Sequence, residues 1–128
     1  MERHEQNHAN FINNDRAGST KNLSCCARAK KCREGKNKKG REYCDRLWGK
    51  YRDKLRPFAE CAAYSVTVDC LIDQLKLPML SPYCQAVCRG EILEWTPVRD
   101  AWCAKAKKEK RPACIFNDDG TPNEKWLQ

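Results

Sequence analysis

The sequence predicts an all-α fold: a small, mostly helical domain stapled by disulfides. Three observations carry that expectation. Twenty of the 128 residues are Leu, Ile, Val or Phe, too few for a highly charged chain to fold on apolar burial alone. Ten cysteines, an even number spread from Cys25 to Cys114, offer up to five bridges where the core is thin. The apolar residues that remain recur at helical spacing along most of the chain.

Taken in order, residues 2–13 read as a short helix that ends in the turn-rich Asn13-Asn14-Asp15 and Gly18-Ser19. Asn22 or Ser24 caps a second helix, roughly 23–33, carrying Cys25, Cys26 and Cys32. The stretch 34–40 (EGKNKKG) has no apolar anchor and reads as a polar loop. Tyr43, Leu47, Trp48, Tyr51 and Leu55 form one stripe of a third helix, about 41–55, after which Pro57 breaks or restarts the chain. Between Phe58 and Leu77 two periods compete. Ala59, Ala62, Ala63, Val66 and Cys70 fit a helical face, whereas Tyr64, Val66, Val68 and Cys70 alternate with polar residues as in a strand. About 20 residues without Gly or Pro is long for a strand, so a helix is expected, with minor β around 62–70 as the alternative.

A short helix at 81–89 carries Cys84 and Cys88, and Thr96-Pro97 suits the cap and first turn of a last helix near 97–109. Residues 1–114 thus read as one domain and 115–128 as an extended C-terminal tail. Hairpin geometry pairs Cys32 with Cys44 across the 34–40 loop, and Cys84 with Cys103 between the last two helices. The Cys84-x3-Cys88 pair, or Cys25 and Cys26 with Cys32, lacks the spacing of a strong structural zinc motif.

Composition narrows the function. No apolar run approaches the ~18 residues of a membrane span, and no apolar stretch of a Sec-type signal peptide follows the N-terminus. Oxidised cysteines without an export signal point to a domain cut from a longer secreted polypeptide, or delivered to a target cell by a dedicated machine. The compartment expected is periplasmic or extracellular and oxidising. A net charge of +8, clustered at Arg28–Lys39 and at Lys105–Arg111, favours an anionic partner.

The only two histidines lie in His4-Glu5-Gln6-Asn7-His8, an H-E-x-x-H motif. On a helix, His4 and His8 stand one turn apart on one face, where two imidazoles take adjacent corners of a zinc tetrahedron. Glu5 projects beside them, placed to accept a proton from an attacking water. A catalytic zinc needs a third protein ligand, and no third histidine exists. Glu60, in Pro57-Phe58-Ala59-Glu60-Cys61-Ala62-Ala63-Tyr64, is the candidate, sharing a helical face with Ala63, Tyr64 and Thr67.

The pair H-E-x-x-H and, some fifty residues on, E-x-x-A-Y resembles the small gluzincin-type metallopeptidases. The stretch Arg56–Tyr64 with Asp69-Cys70-Leu71 is similar to cysteine-rich zincin-like toxin domains of bacterial polymorphic toxins and type VI secretion effectors. The resemblance covers roughly residues 3–75. It implies a zincin-like helical domain in which His4, His8 and Glu60 bind Zn2+ and Glu5 is the general base of peptide-bond hydrolysis. Tyr64 would stabilise the oxyanion or hold a ligand. The family places a β-strand before the motif helix, and only residues 1–3 precede it here. The partners implied are a protein or peptide substrate and, for a producing cell, an acidic immunity protein. The competing reading is a basic, cysteine-stapled module without enzymatic activity that binds nucleic acid or another anionic surface.

Overall fold

A computed structural model describes residues 2–13, 16 and 18–127. Among them lie four helices and no strand: α1 (Glu2–Asn13), α2 (Cys25–Arg33), α3 (Lys38–Leu75) and α4 (Pro82–Lys108), followed by a single 3-10 turn at Glu124–Trp126. The fold is all-α, and the expected β alternative around 62–70 is helix. A strand would have to turn Ala63 and Val68 to opposite faces or to solvent; in α3 both are buried, with Ala59 and Leu71, on a helical stripe. Asn14 and Asp15 of the expected turn lie outside the described residues.

The caps follow the sequence closely. Ser24 accepts the amide of Ala27 at the start of α2, and Ser81 accepts that of Cys84 ahead of Pro82 in α4. Helix α3 begins three residues before the expected 41, because Asn37 accepts the Gly40 amide through its side chain and the Arg41 amide through its carbonyl.

Two expected helix breaks are absent. Pro57 lies inside α3 and Pro97 inside α4, so 41–55 and 58–77 join, as do 81–89 and 97–109. Thr96 caps nothing; its hydroxyl is buried without a hydrogen-bond partner. A helical proline removes one hydrogen bond, to the carbonyl four residues back, and crowds it. Those carbonyls belong to Asp53 and Leu93, both exposed residues, where water can take the lost donor's place.

The described residues fall into two compact units: unit 1 is 1–8 with 57–110, and unit 2 is 9–56 with 111–128. Unit 2 holds the main core cluster and two bridges, and unit 1 holds one bridge. In unit 2, Leu47, Tyr51, Leu55, Ile115 and Phe116 pack with the four cysteines of the Cys25–Cys114 and Cys32–Cys44 bridges. Residues 115–127 are therefore no extended tail. Ile115 and Phe116 are buried, Phe116 bridges Pro122, and the Trp126 indole donates to the Ala113 carbonyl. In unit 1 Cys61 joins Cys103.

The bridges thus number three, not five. The local Cys32–Cys44 pair matches expectation, whereas Cys103 takes Cys61 instead of Cys84. Cys26, Cys70, Cys84 and Cys88 are free thiols. Three disulfides fit an oxidising, extracellular-type setting. No helix among the described residues is long and apolar enough to cross a membrane.

Two contacts fasten the C-terminal segment inside unit 2 and are testable. Gly120 has φ +87°, and a Cβ there would meet the Cys32 amide nitrogen at 2.6 Å and the Lys31 carbonyl carbon at 2.7 Å. Gly120→Ala combines left-handed strain with backbone overlap, so chemical denaturation should show a loss of about 2–4 kcal/mol. One residue pair earlier, Asp118 accepts from the Ser19 hydroxyl at 2.5 Å and from the Thr20 amide and hydroxyl, each at 2.9 Å. Led by the Ser19 bond, these donors pull its pKa down from 3.8 to about 2. A carboxyl depressed on folding stabilises above its unfolded pKa and loses that contribution as pH falls through the folded value. Thermal melts of the parent should therefore fall between pH 4 and 2 more steeply than those of Asp118→Asn.

Candidate metal centre

Within unit 1, α1 and α3 bring together the residues that the H-E-x-x-H spacing singled out. His4 and His8 lie one turn apart on α1 and face Glu60 of α3. The His4 and His8 Nε2 atoms are 3.1 Å apart. Glu60 Oε2 stands 3.5 Å from His4 Nε2, and Oε1 3.2 Å from His8 Nε2. His4 is buried, while His8 and Glu60 keep partial access to solvent. This is the one group of three or more such side chains among the described residues with ligand atoms gathered this closely.

The donor set passes a geometric test for zinc. Zn–N and Zn–O bonds of about 2.0–2.1 Å at tetrahedral angles put neighbouring ligand atoms roughly 3.3 Å apart. The three observed separations bracket that value.

The His4 ring is backed by a hydroxyl. The Thr67 hydroxyl lies 3.2 Å from the Ala63 carbonyl, to which it donates, and 3.4 Å from His4 Nδ1. The hydroxyl therefore engages the Nδ1 side of the ring and leaves Nε2 turned to the cluster. This is the orienting partner that ligand histidines characteristically have. It arises from local chemistry, a threonine bonding back to the carbonyl four residues earlier.

Aromatic packing holds the same ring. Tyr64 meets His4 edge-on at 4.2 Å between centroids, and Trp95 of α4 stacks on Tyr64 at 5.8 Å. Tyr64 therefore stands in the site as a wall of the His4 pocket. Glu5 follows His4 on α1 and is solvent-exposed, with no hydrogen-bonding partner among the described residues.

A cleft of about 470 Å³ opens beside His4, lined also by Arg3, Thr67, Cys70, Glu91 and Trp95. Of the three cluster residues His4 alone lines it, on the side of the ring that faces Thr67, and Arg3 donates to the Cys70 sulfur at 3.1 Å. Sequence reasoning missed Trp95 as part of the site because nothing local links α4 to α1. Thr67 was visible on the Glu60 face, but its back-bonding role was not.

Of the basic run 28–39, Arg28 serves the fold of unit 2. It is buried and donates to the carbonyls of Leu23 and Phe116 beside Asp118. Compared with known protein families, with characterised proteins and with solved structures, the chain matches none.

Proposed function

We propose that the chain is a zinc-dependent hydrolase of the peptidase type, with His4, His8 and Glu60 as the metal ligands. The observation that carries this reading is the His4–His8–Glu60 triangle, with separations of 3.1–3.5 Å and its lead histidine oriented by Thr67. Two histidines and one glutamate are a catalytic donor set, since structural zinc sites fill all four positions with protein. Zinc held there would supply a Lewis acid for a carbonyl oxygen and lower the pKa of a coordinated water.

The residues of the chain divide the remaining work. The exposed Glu5 carboxylate is free to accept a proton from an attacking water and to return it to a leaving amine. Thr67 and Tyr64 hold the His4 ring so that Nε2 cannot turn away. The cleft beside His4, with Arg3 and Glu91 on its walls and Trp95 in its lining, offers both charges and an apolar surface to a peptide chain.

The resemblance to cysteine-rich toxin domains extends the reading to a secreted or delivered bacterial effector acting in competition between cells. Its producer would need an immunity protein, and the net charge of +8 suits an acidic one.

The test is metal analysis with a peptidase assay on purified protein. Wild type from metal-replete medium should carry one zinc and cleave unfolded protein substrate. His4→Ala should carry none. Glu5→Gln should keep the metal and lose at least about 100-fold in turnover, the usual contribution of a general base. Metal-free wild type overturns the whole reading. Full metal with no cleavage of any protein substrate overturns hydrolysis and leaves a zinc-binding domain.

A further inference from the structure

We infer that the α2–α3 elbow of unit 2, residues 30–46, is a binding surface for the phosphate backbone of nucleic acid. The first observation is how charge divides between the units. Unit 2 holds seventeen Lys and Arg against eight Asp and Glu, and unit 1 eight against nine. The chain's entire positive excess therefore belongs to the unit without the metal cluster.

Inside unit 2 the excess concentrates at the elbow, where eight cations meet three carboxylates. Lys30, Lys36, Lys38, Lys39, Arg41 and Arg46 are all exposed. The carboxylates that could neutralise them are largely committed. Asp45 pairs with Arg33, Asp118 is held by Ser19 and Thr20, and Asp119 accepts from Thr121. Only Glu34 and Glu42 remain within the elbow.

The surface is also stiff. The Cys32–Cys44 bridge ties α2 to α3, with the Lys36 ammonium 3.7 and 3.8 Å from its two sulfurs. Arg41 donates to the Lys36 carbonyl at 2.8 Å. Along α3, Lys39, Arg46 and Lys50 fall at i, i+7 and i+11, about 16 Å of one helix face. The exposed ring of Tyr43 lies between them, with the Arg46 guanidinium 5.8 Å from its centroid. Holding so many like charges on one rigid elbow is unfavourable until counter-charge arrives.

The kind of partner follows from what unit 2 lacks. A protein interface centres on buried apolar anchors. Among the described residues, the exposed large apolar side chains of this unit are Tyr43 and Leu127, whereas Ile72, Leu77, Met79, Tyr83, Val87 and Leu93 all belong to unit 1. Many cations with scarcely any apolar anchor suit a regular polyanion, bound by counterion release and without base reading. This surface is independent of the zinc reading and would survive its failure.

The test uses the full chain with its bridges intact, a fluorescein-labelled 20-base-pair DNA duplex and anisotropy over a salt series. With six phosphate contacts, affinity should fall about 1,000-fold between 50 and 200 mM salt. Lys38→Glu/Lys39→Glu/Arg46→Glu should weaken binding at least 30-fold and flatten the salt slope by about 3. The Gln versions, which keep the helix without adding repulsion, should show the same flattening. Lys105→Glu/Lys107→Glu in unit 1 changes net charge without touching the elbow and should stay within about 3-fold of wild type. An equal loss in that control overturns the proposal, because net charge alone would then explain binding. So does tighter binding to polyglutamate or to phosphatidylserine vesicles than to the duplex, which would assign the elbow to an acidic protein or a lipid surface.

Discussion

Glu60→Ala should weaken zinc binding by more than 100-fold and abolish the stabilisation that zinc confers on the wild type. The lower bound comes from partners that only orient a ligand, whose loss typically costs 10–100-fold. Glu60 would touch the metal itself, and among the described residues it is the one carboxylate facing both imidazoles, at 3.2–3.5 Å. Thr67→Val is the internal comparison. It removes the hydroxyl beside His4 Nδ1 while keeping all three ligands, so its loss should stay inside the 10–100-fold range.

Two measurements check this pair: competition with a chromophoric chelator, and melting with and without zinc. Under the zinc reading, metal at 100 times its dissociation constant should stabilise the wild type by about 2.7 kcal/mol, and Glu60→Ala should show no shift under the same conditions. Wild-type affinity in Glu60→Ala would place the metal elsewhere in the chain. Equal affinities in Thr67→Val and wild type would remove the orienting role assigned to the hydroxyl.

The histidine pair was legible because helical periodicity alone brings i and i+4 together, and residues 2–13 do form a helix. Glu60 was legible only as one carboxylate on a helical face, since no local rule states which face α1 will cover. Trp95 left no signal at all: its place behind Tyr64 depends on α4 packing in unit 1. The same contrast governs the bridges. Cys32–Cys44 closes a separation of 12 residues across a visible loop, whereas Cys25–Cys114 and Cys61–Cys103 close 89 and 42 and are set by tertiary packing. Pro57 and Pro97 misled because a proline's local cost of about 3 kcal/mol reads as a helix end. It does not end one when the flanking turns are well packed, as Tyr51, Leu55, Ala59 and Ala63 are around Pro57. The C-terminal segment carried its own signal in Ile115, Phe116 and Trp126, three large apolar residues that an exposed tail would not hold in water.

The Cys25–Cys114 bridge should be the most costly single cross-link to lose. Bridges restrict the unfolded chain, and the restriction grows with the loop closed. A separation of 89 residues corresponds to about 4.6 kcal/mol and the 12 of Cys32–Cys44 to about 3 kcal/mol in the chain-entropy picture. The native state adds to the difference. Both Cys25 and Cys114 are buried in the unit 2 core, and Cys114 fixes the strand of chain that delivers Ile115, Phe116 and the Asp118 contacts. Cys25→Ala/Cys114→Ala should therefore lower stability by at least 4 kcal/mol, a large share of the 5–15 kcal/mol typical of a whole domain. Cys32→Ala/Cys44→Ala should cost about 3 kcal/mol, and mild reductant should bring the wild type below both. Intact mass should show six hydrogens lost relative to the fully reduced chain and four thiols open to alkylation after unfolding. If the two double variants melt together, loop length is not what sets the contribution of these bridges, and local packing around Cys32 and Cys44 governs instead.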